Sequence, residues 1–248
     1  MALKLSRNPK EAIYAIYLGL WVVLWFIFLY PLIRLGLSTP KFYRFAHYVR
    51  KFWGKMLLYF GFVRVYMHYE EPIDTNQAYM IAPNHTSQID IVTLTAKLPL
   101  YFNFMAKAEL ERIPFFGIWF RTIDISVERK DARKAALSYR KALNWLDAGH
   151  SMCIFPEGTI SNKVPQLIPF KDGPFRMAIE KQIPVLPVTI IGNWIVLPDQ
   201  GIFGGSPTKV HQYIHKAIPT KGLTLNDIES LKEQVFQVIN NKLHENGY

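Results

Sequence analysis

The chain has 248 residues, half of them hydrophobic, with 17 Phe, 13 Tyr and 6 Trp; that is enough apolar material for a substantial core and excludes a disordered polymer. The net charge is +10, and residues 1–70 hold ten cations against only Glu11 and Glu70, so the basic excess lies beside the most apolar stretch. A single cysteine, Cys153, excludes an intramolecular disulfide and a multi-cysteine metal site.

No charge interrupts Ala12 to Ile33, a run long enough to cross the hydrocarbon core of a bilayer. No small-residue cleavage site follows it, so it does not read as a signal peptide. Pro31 and Gly36 break its end. In the next segment Lys41, Arg44, Arg50, Lys51 and Lys55 are interleaved with Phe42, Phe45, Val49, Phe52, Trp53 and Met56. That is the pattern of a basic amphipathic helix lying in the membrane interface with its cations reaching anionic lipid headgroups. No helix-turn-helix or base-stacking pattern accompanies the charge, so nucleic acid is not the expected partner. Residues 12–33 either span the bilayer or form, with the following segment, a hairpin in one leaflet; both flanks are basic, so charge gives no orientation.

From Gly61 the pattern changes. Val63, Val65, Met67 and Tyr69 alternate with polar or exposed positions and predict a strand. Ala78–Pro83 is a short buried strand, and Ser87–Lys97 a helix stopped near Pro99. Tyr101–Ala106 and Ile123–Val127 are strands. Asp131 caps a helix over Ala132–Ala148, which Gly149 terminates. Met152–Phe155 is a strand, Gly173–Lys181 a helix, Pro184–Ile191 a strand, Lys209–His215 a late strand and Asn226–His244 a C-terminal helix. Strands alternating with helices predict an α/β fold: a mostly parallel sheet covered by helices on both faces. The expected division is a membrane-docking segment of two helices over residues 1–60 and an α/β domain over residues 61–248.

Two constellations carry chemistry, each directly after a predicted strand, where open α/β sheets bind ligands. The first is Pro83-Asn84-His85-Thr86-Ser87-Gln88-Ile89-Asp90. The imidazole of His85 can accept a hydroxyl proton; a carboxylate on its other ring nitrogen would fix the tautomer. Five residues on one continuous helix would put His85 and Asp90 roughly 140° apart. The pair meets only with His85 in the turn before the helix and Asp90 in its first turn. The second is Phe155-Pro156-Glu157-Gly158-Thr159, ordinary turn chemistry that brings Glu157 to the same edge of the sheet. Cys153 lies inside a predicted strand and reads as a buried thiol, and Ser87 reads as a cap rather than a nucleophile. His211 and His215 fall on a strand, not on one face of a helix, and the remaining histidines show no metal-ligand spacing.

Asn84-His85 with Asp90, followed by Phe155-Pro156-Glu157-Gly158-Thr159, resembles the glycerolipid acyltransferase family of 1-acylglycerol-3-phosphate acyltransferases. Gly117 to Arg129 and Leu186-Pro187-Val188-Thr189-Ile190 resemble its other two blocks, in the same order. The resemblance implies that His85 deprotonates the acceptor hydroxyl as it attacks an acyl thioester, that Asp90 orients His85, and that no acyl-enzyme forms. It implies that Lys107 lies near the acceptor phosphate, that Arg129 and Glu157 position the acceptor, and that Gly158 and Thr159 shape the site. The acyl donor would be acyl-CoA or an acyl carrier protein, the acceptor lysophosphatidic acid and the product phosphatidic acid, with no metal or cofactor. The expected location is the cell membrane with the catalytic domain on the cytoplasmic side. One position departs from the pattern: Ile160 stands where the family commonly has a phosphate-binding arginine. Lys107, Arg129, Lys163 or Lys171 would then have to compensate, or the acceptor is a different lysolipid.

Overall fold

The computed structural model describes residues 8–114, 117–128, 130–199 and 204–248. The chain opens with α1 (Pro9–Gly36), whose Pro9 fills the first helical position after an Asn8 cap. At 28 residues it is about 42 Å long. It is the one described helix long and apolar enough to cross a membrane. α2 (Tyr43–Phe60) runs back along it. At one end of the hairpin Tyr14 and Tyr17 donate to the carbonyls of Gly61 and Phe60 at 2.8 and 2.9 Å. At the other, Gly36 lies so close to Ala46 that an added Cβ would sit 2.8 Å from its Cα.

The remaining elements are β1 (Arg64–Tyr69), β2 (Met80–Pro83), α3 (Asp90–Lys97), β3 (Phe102–Lys107), α4 (Gly117–Phe120), β4 (Ile125–Val127), α5 (Ala132–Asp147), β5 (Ser151–Cys153), α6 (Gly173–Lys181), β6 (Val185–Ile191), α7 (Asn193–Val196), β7 (Lys209–Ile214) and α8 (Ile228–Glu245). The strands form one sheet in the order β1-β7-β6-β2-β5-β3-β4, parallel except for the β6–β7 pair. Side chains alternate across it as pleating requires. Ile81, Cys153, Leu186 and Val188 face a core shared with α1, α2, α3 and α4. Met80, Met152 and Val185 face a second core closed by α5, α6 and α8. The sheet is thus covered on both faces, and the α1–α2 hairpin is the outer layer of one of them. No break in packing falls at residue 60: a single cluster runs from Leu18 and Phe26 through Trp53 to Phe102.

The second helix corrects the sequence reading. Arg50 is 4% exposed, and its guanidinium donates to Asp124 at 2.7 Å and to the Phe102 carbonyl at 3.1 Å. Lys51 donates to the Leu98 carbonyl at 2.7 Å. These two cations bind protein rather than headgroups. His47, packed beside Arg50, donates through Nε2 to the Leu100 carbonyl and accepts from Arg50 at Nδ1. Burial, with Arg50 adding to it, pushes its pKa down to about 2, which keeps the ring neutral. α2 is thus tied to the sheet and to the Leu98 carbonyl through Arg50 and Lys51 and carries α1 on its back, while Phe45, Tyr48, Phe52 and Tyr59 on the same helix stay exposed.

Candidate active site

β2 and β5 are adjacent central strands, and the chain leaves β2 towards β3 on one side and returns from β5 to β6 on the other. Their carboxyl ends therefore lie at the switch point where this class of sheet opens a crevice. Beyond β2, Asn84 prolongs the ladder with its side chain, accepting from the Ile190 N–H at 2.7 Å and donating to its carbonyl at 3.1 Å. This fixes the backbone at the residue before His85.

α3 starts at Asp90 rather than at Ser87 because the Asp90 carboxylate builds the turn before it. Its Oδ2 accepts from the backbone N–H of Thr86 and Ser87 at 2.7 and 2.9 Å and from His85 Nδ1 at 2.9 Å. Its Oδ1 accepts from Thr86 Oγ1 at 3.1 Å and from Asn193 Nδ2 at 2.7 Å. Asp90 is fully buried, and every partner is a donor. Nδ1 of His85 therefore carries its proton towards Asp90, which leaves the lone pair on Nε2. Nε2 has no hydrogen-bond partner among the described residues, and the His85 side chain keeps 14% exposure. The imidazole is stacked on Phe155 with ring centroids 3.9 Å apart and planes 16° from parallel. With Nδ1 held by Asp90 and one face of the ring covered by Phe155, Nε2 is the ring nitrogen left to take a proton.

Glu157 reaches the same turn from β5. Its Oε1 accepts the His85 backbone N–H at 2.7 Å and its Oε2 the Ile168 N–H at 3.1 Å. It is 2% exposed, and burial raises its pKa to about 7 against the lowering effect of the two N–H groups. Each oxygen is thus engaged by a backbone donor, and through Oε1 Glu157 holds the position of His85. Gly158, at φ +72°, closes the turn by donating to the Phe155 carbonyl at 3.0 Å. On the exposed side of the turn, Lys107 at the end of β3 reaches Thr159 Oγ1 at 3.5 Å. Thr159 is exposed and Ile160 half-buried beside it. Lys163 and Lys171 lie on the following loop, and Arg129 lies outside the described residues.

The sequence-based reading missed Asn193, which also donates to Thr93 Oγ1 at 2.9 Å and so ties α7 to α3. The signal was Gly192, directly before it: at φ +100° it is packed so that a Cβ would lie 2.7 Å from the Lys209 carbonyl oxygen. Such a glycine after a strand marks a forced turn that aims the next side chain. Other candidate nucleophiles are committed elsewhere. Cys153 is fully buried, which holds its thiol well above its ordinary range. Ser87 Oγ donates to the Leu197 carbonyl at 2.5 Å. A second histidine–carboxylate pair, His215 with Glu70, is closed: His215 is 4% exposed, with Glu70 on Nδ1 and Thr189 on Nε2.

Known proteins are similar to this chain in sequence and fold. The acyltransferase family profile matches residues 64–191, more than half of the chain. A 1-acyl-sn-glycerol-3-phosphate acyltransferase of Saccharomyces cerevisiae is 31% identical over 68% of this chain and 57% of its own length. A chloroplastic 1-acyl-sn-glycerol-3-phosphate acyltransferase of Brassica napus is 29% identical over 71% of this chain and 51% of its own. The chain thus spans about half the length of these relatives. The crystal structure of the 1-acyl-sn-glycerophosphate acyltransferase PlsC of Thermotoga maritima superposes with a TM-score of 0.82 over 97% of both chains, at 23% identity. That likeness extends the shared fold to the N-terminal hairpin.

Proposed function

The chain belongs to the acyltransferase family, and on that premise we propose that it moves a fatty acyl group from a thioester donor to the sn-2 hydroxyl of 1-acylglycerol 3-phosphate, giving phosphatidic acid. The observation that carries the reading is His85 with Nδ1 locked on buried Asp90 and Nε2 open. The acceptor hydroxyl gives its proton to Nε2 as its oxygen attacks the thioester carbonyl. The tetrahedral intermediate collapses, the C–S bond breaks, and the thiolate takes the proton from Nε2. Asp90 stabilises the imidazolium between those two transfers. Direct transfer is favoured over an acyl-enzyme because Cys153, Ser87 and Thr86 are all buried.

Glu157 is a positioning residue that holds the His85 backbone, and Gly158 gives its turn the required φ. Lys107, at the rim with Thr159, supplies the cation for the acceptor phosphate, aided by Arg129 and offsetting Ile160. α1 docks the enzyme on the cell membrane with the catalytic domain on the cytoplasmic side. Embedding in one leaflet is favoured over spanning: α1 packs along α2, and α2 is joined to the sheet by Arg50 and Asp124. A spanning α1 would draw that ion pair into hydrocarbon.

The test is acyl transfer to lysophosphatidic acid in detergent micelles, unmodified protein against His85→Ala. Loss of the base lowers turnover by a factor of about 10²–10⁴; near-normal turnover by the variant refutes the assignment. Ile160 motivates a second reading, in which the acceptor is a lysolipid with another headgroup. A panel of lysolipids decides: a strong preference for lysophosphatidic acid disposes of it.

A further inference from the structure

α5 packs on the sheet face opposite the α1–α2 hairpin, and its outer side is unusual. Its buried side is Ser138, Ala142 and Leu146. At roughly 100° per residue, Arg133, Lys134, Arg140 and Lys141 all fall within about 60° of Leu137. Leu137 is 58% exposed, and the four cations are exposed around it. Among the described residues Arg133, Arg140 and Lys141 enter no ion pair, and Lys134 reaches only Asp131, at 3.9 Å. Like charges on one helix repel, and although Glu109, Glu111 and Glu128 border the cavity beside Lys134 and Lys141, no described carboxylate closes an ion pair with Arg133, Arg140 or Lys141. A bilayer does not explain the face either, since the apolar surface of α1 lies on the other side of the sheet.

The placement of α5 points to a partner. It follows β4, so its N-terminal half stands at the sheet edge that carries His85. Between it and the segment that follows β3, starting one residue beyond Lys107, lies a cavity of ≈ 470 Å³ lined in part by Ala108, Ser126, Lys130, Lys134 and Lys141. Glu109, Glu111 and Glu128 also border it, and Glu111 is engaged by Ser126. The ends of β4 and β2 are three strand spacings apart, about 14 Å. We propose that the exposed face of α5 docks an acidic acyl carrier protein, with the cations meeting its acidic helix and Leu137 an apolar side chain on it, so that the pantetheine arm enters through this cavity. The inference rests on the acyl-transfer reading and selects the donor.

The experiment compares palmitoyl–acyl carrier protein with palmitoyl-CoA, lysophosphatidic acid being the acceptor, for the unmodified protein and Arg133→Glu/Arg140→Glu. Losing the steering charges raises the KM for the carrier-borne donor about tenfold and leaves palmitoyl-CoA kinetics unchanged. Unchanged CoA turnover also reports an intact fold, and Arg133→Gln/Arg140→Gln gives a smaller shift in the same direction. Equal effects on both donors, no effect on either, or use of CoA alone by the unmodified protein overturns the docking. Calorimetric titration with the carrier separates the two readings. Carrier binding that the reversal abolishes, with no turnover from either donor, keeps the docking and sinks acyl transfer. CoA turnover without carrier binding does the opposite. Loss of binding to anionic vesicles on charge reversal would assign the face to lipid and overturn the proposal.

Discussion

Asp90 builds the turn before α3 and, in the proposed reaction, steadies the imidazolium, two roles that one substitution pair can separate. In Asp90→Asn the amide oxygen can keep the Oδ2 position, where three N–H groups point at it. The amide nitrogen then takes the Oδ1 position and meets the Asn193 Nδ2 donor, now 2.7 Å from an acceptor. Two buried donors facing each other leave a hydrogen bond unmade, at a cost of about 1–3 kcal/mol. For a chain of this size each kcal/mol lowers Tm by about 2–4 °C. Separately, the imidazolium loses its negative partner, and turnover falls by a factor of about 10²–10⁴, or about 2.7–5.4 kcal/mol of barrier. Adding Asn193→Asp turns the clashing donor into an acceptor. Asp90→Asn/Asn193→Asp is expected to regain part of the lost Tm, measured by thermal denaturation. Its turnover stays low, because the negative charge then sits one side chain further from the imidazole. Turnover by Asp90→Asn within a few-fold of the unmodified protein would refute the catalytic argument. Recovery of turnover along with Tm would reduce Asp90 to a structural part.

Three further expectations follow from the same geometry. Asp124→Ala leaves Arg50 buried without its partner and destabilises the fold by about 3–5 kcal/mol in denaturant melts, whereas Arg50→Met/Asp124→Leu recovers most of it; equal losses in both variants would show that no uncompensated charge is involved. Glu157, raised from 4.5 to about 7 in the fold, favours the protonated form there. Its contribution to stability is therefore fully present below pH 4.5, declines as pH rises to about 7 and is flat above, so the stability difference from Glu157→Gln should slope only in that window. Lys107→Met raises the KM for lysophosphatidic acid about tenfold, the lower end for a charge-assisted bond because Lys107 is exposed, and Ile160→Arg lowers it; a shift in donor KM instead would move the phosphate elsewhere.

The strands and the long helices were legible because their signals are local. Alternation marks β1, continuous apolar runs mark β2 and β6, and Asp131 does cap α5, accepting from Arg133 and Lys134. The five-residue spacing of His85 and Asp90 already required a turn before the helix, and the turn is there. What stayed hidden depends on distant partners. A basic amphipathic segment reads the same whether its cations meet headgroups or a carboxylate, and Asp124, which decides the matter for Arg50, is 74 residues away. Asn193 is 103 residues from Asp90 on a four-residue helix too short for any periodicity. The antiparallel placement of β7 beside β6 was equally invisible, since a strand carries no local mark of its neighbour's direction.

The Arg50–Asp124 pair also bears on how the hairpin and the site are joined. Asp124 Oδ1 accepts the Phe104 N–H at 2.9 Å while Arg50 donates to the Phe102 carbonyl, so the pair grips β3 at two points. β3 ends three residues later in Lys107, and it pairs with β5, which leads to Phe155 and Glu157. The helix that carries the apolar α1 is thereby connected through one buried charge to the strand that places the rim cation, and through that strand's neighbour to the aromatic ring and carboxylate that hold His85. Surface ion pairs could not do this, because water would replace either partner at little cost. A buried one fixes α2 against β3, so that the apolar outer face of α1 and the open Nε2 of His85 keep a constant relation to each other, which is what the proposed reaction demands if its acceptor stays in a bilayer while its thioester donor arrives from water.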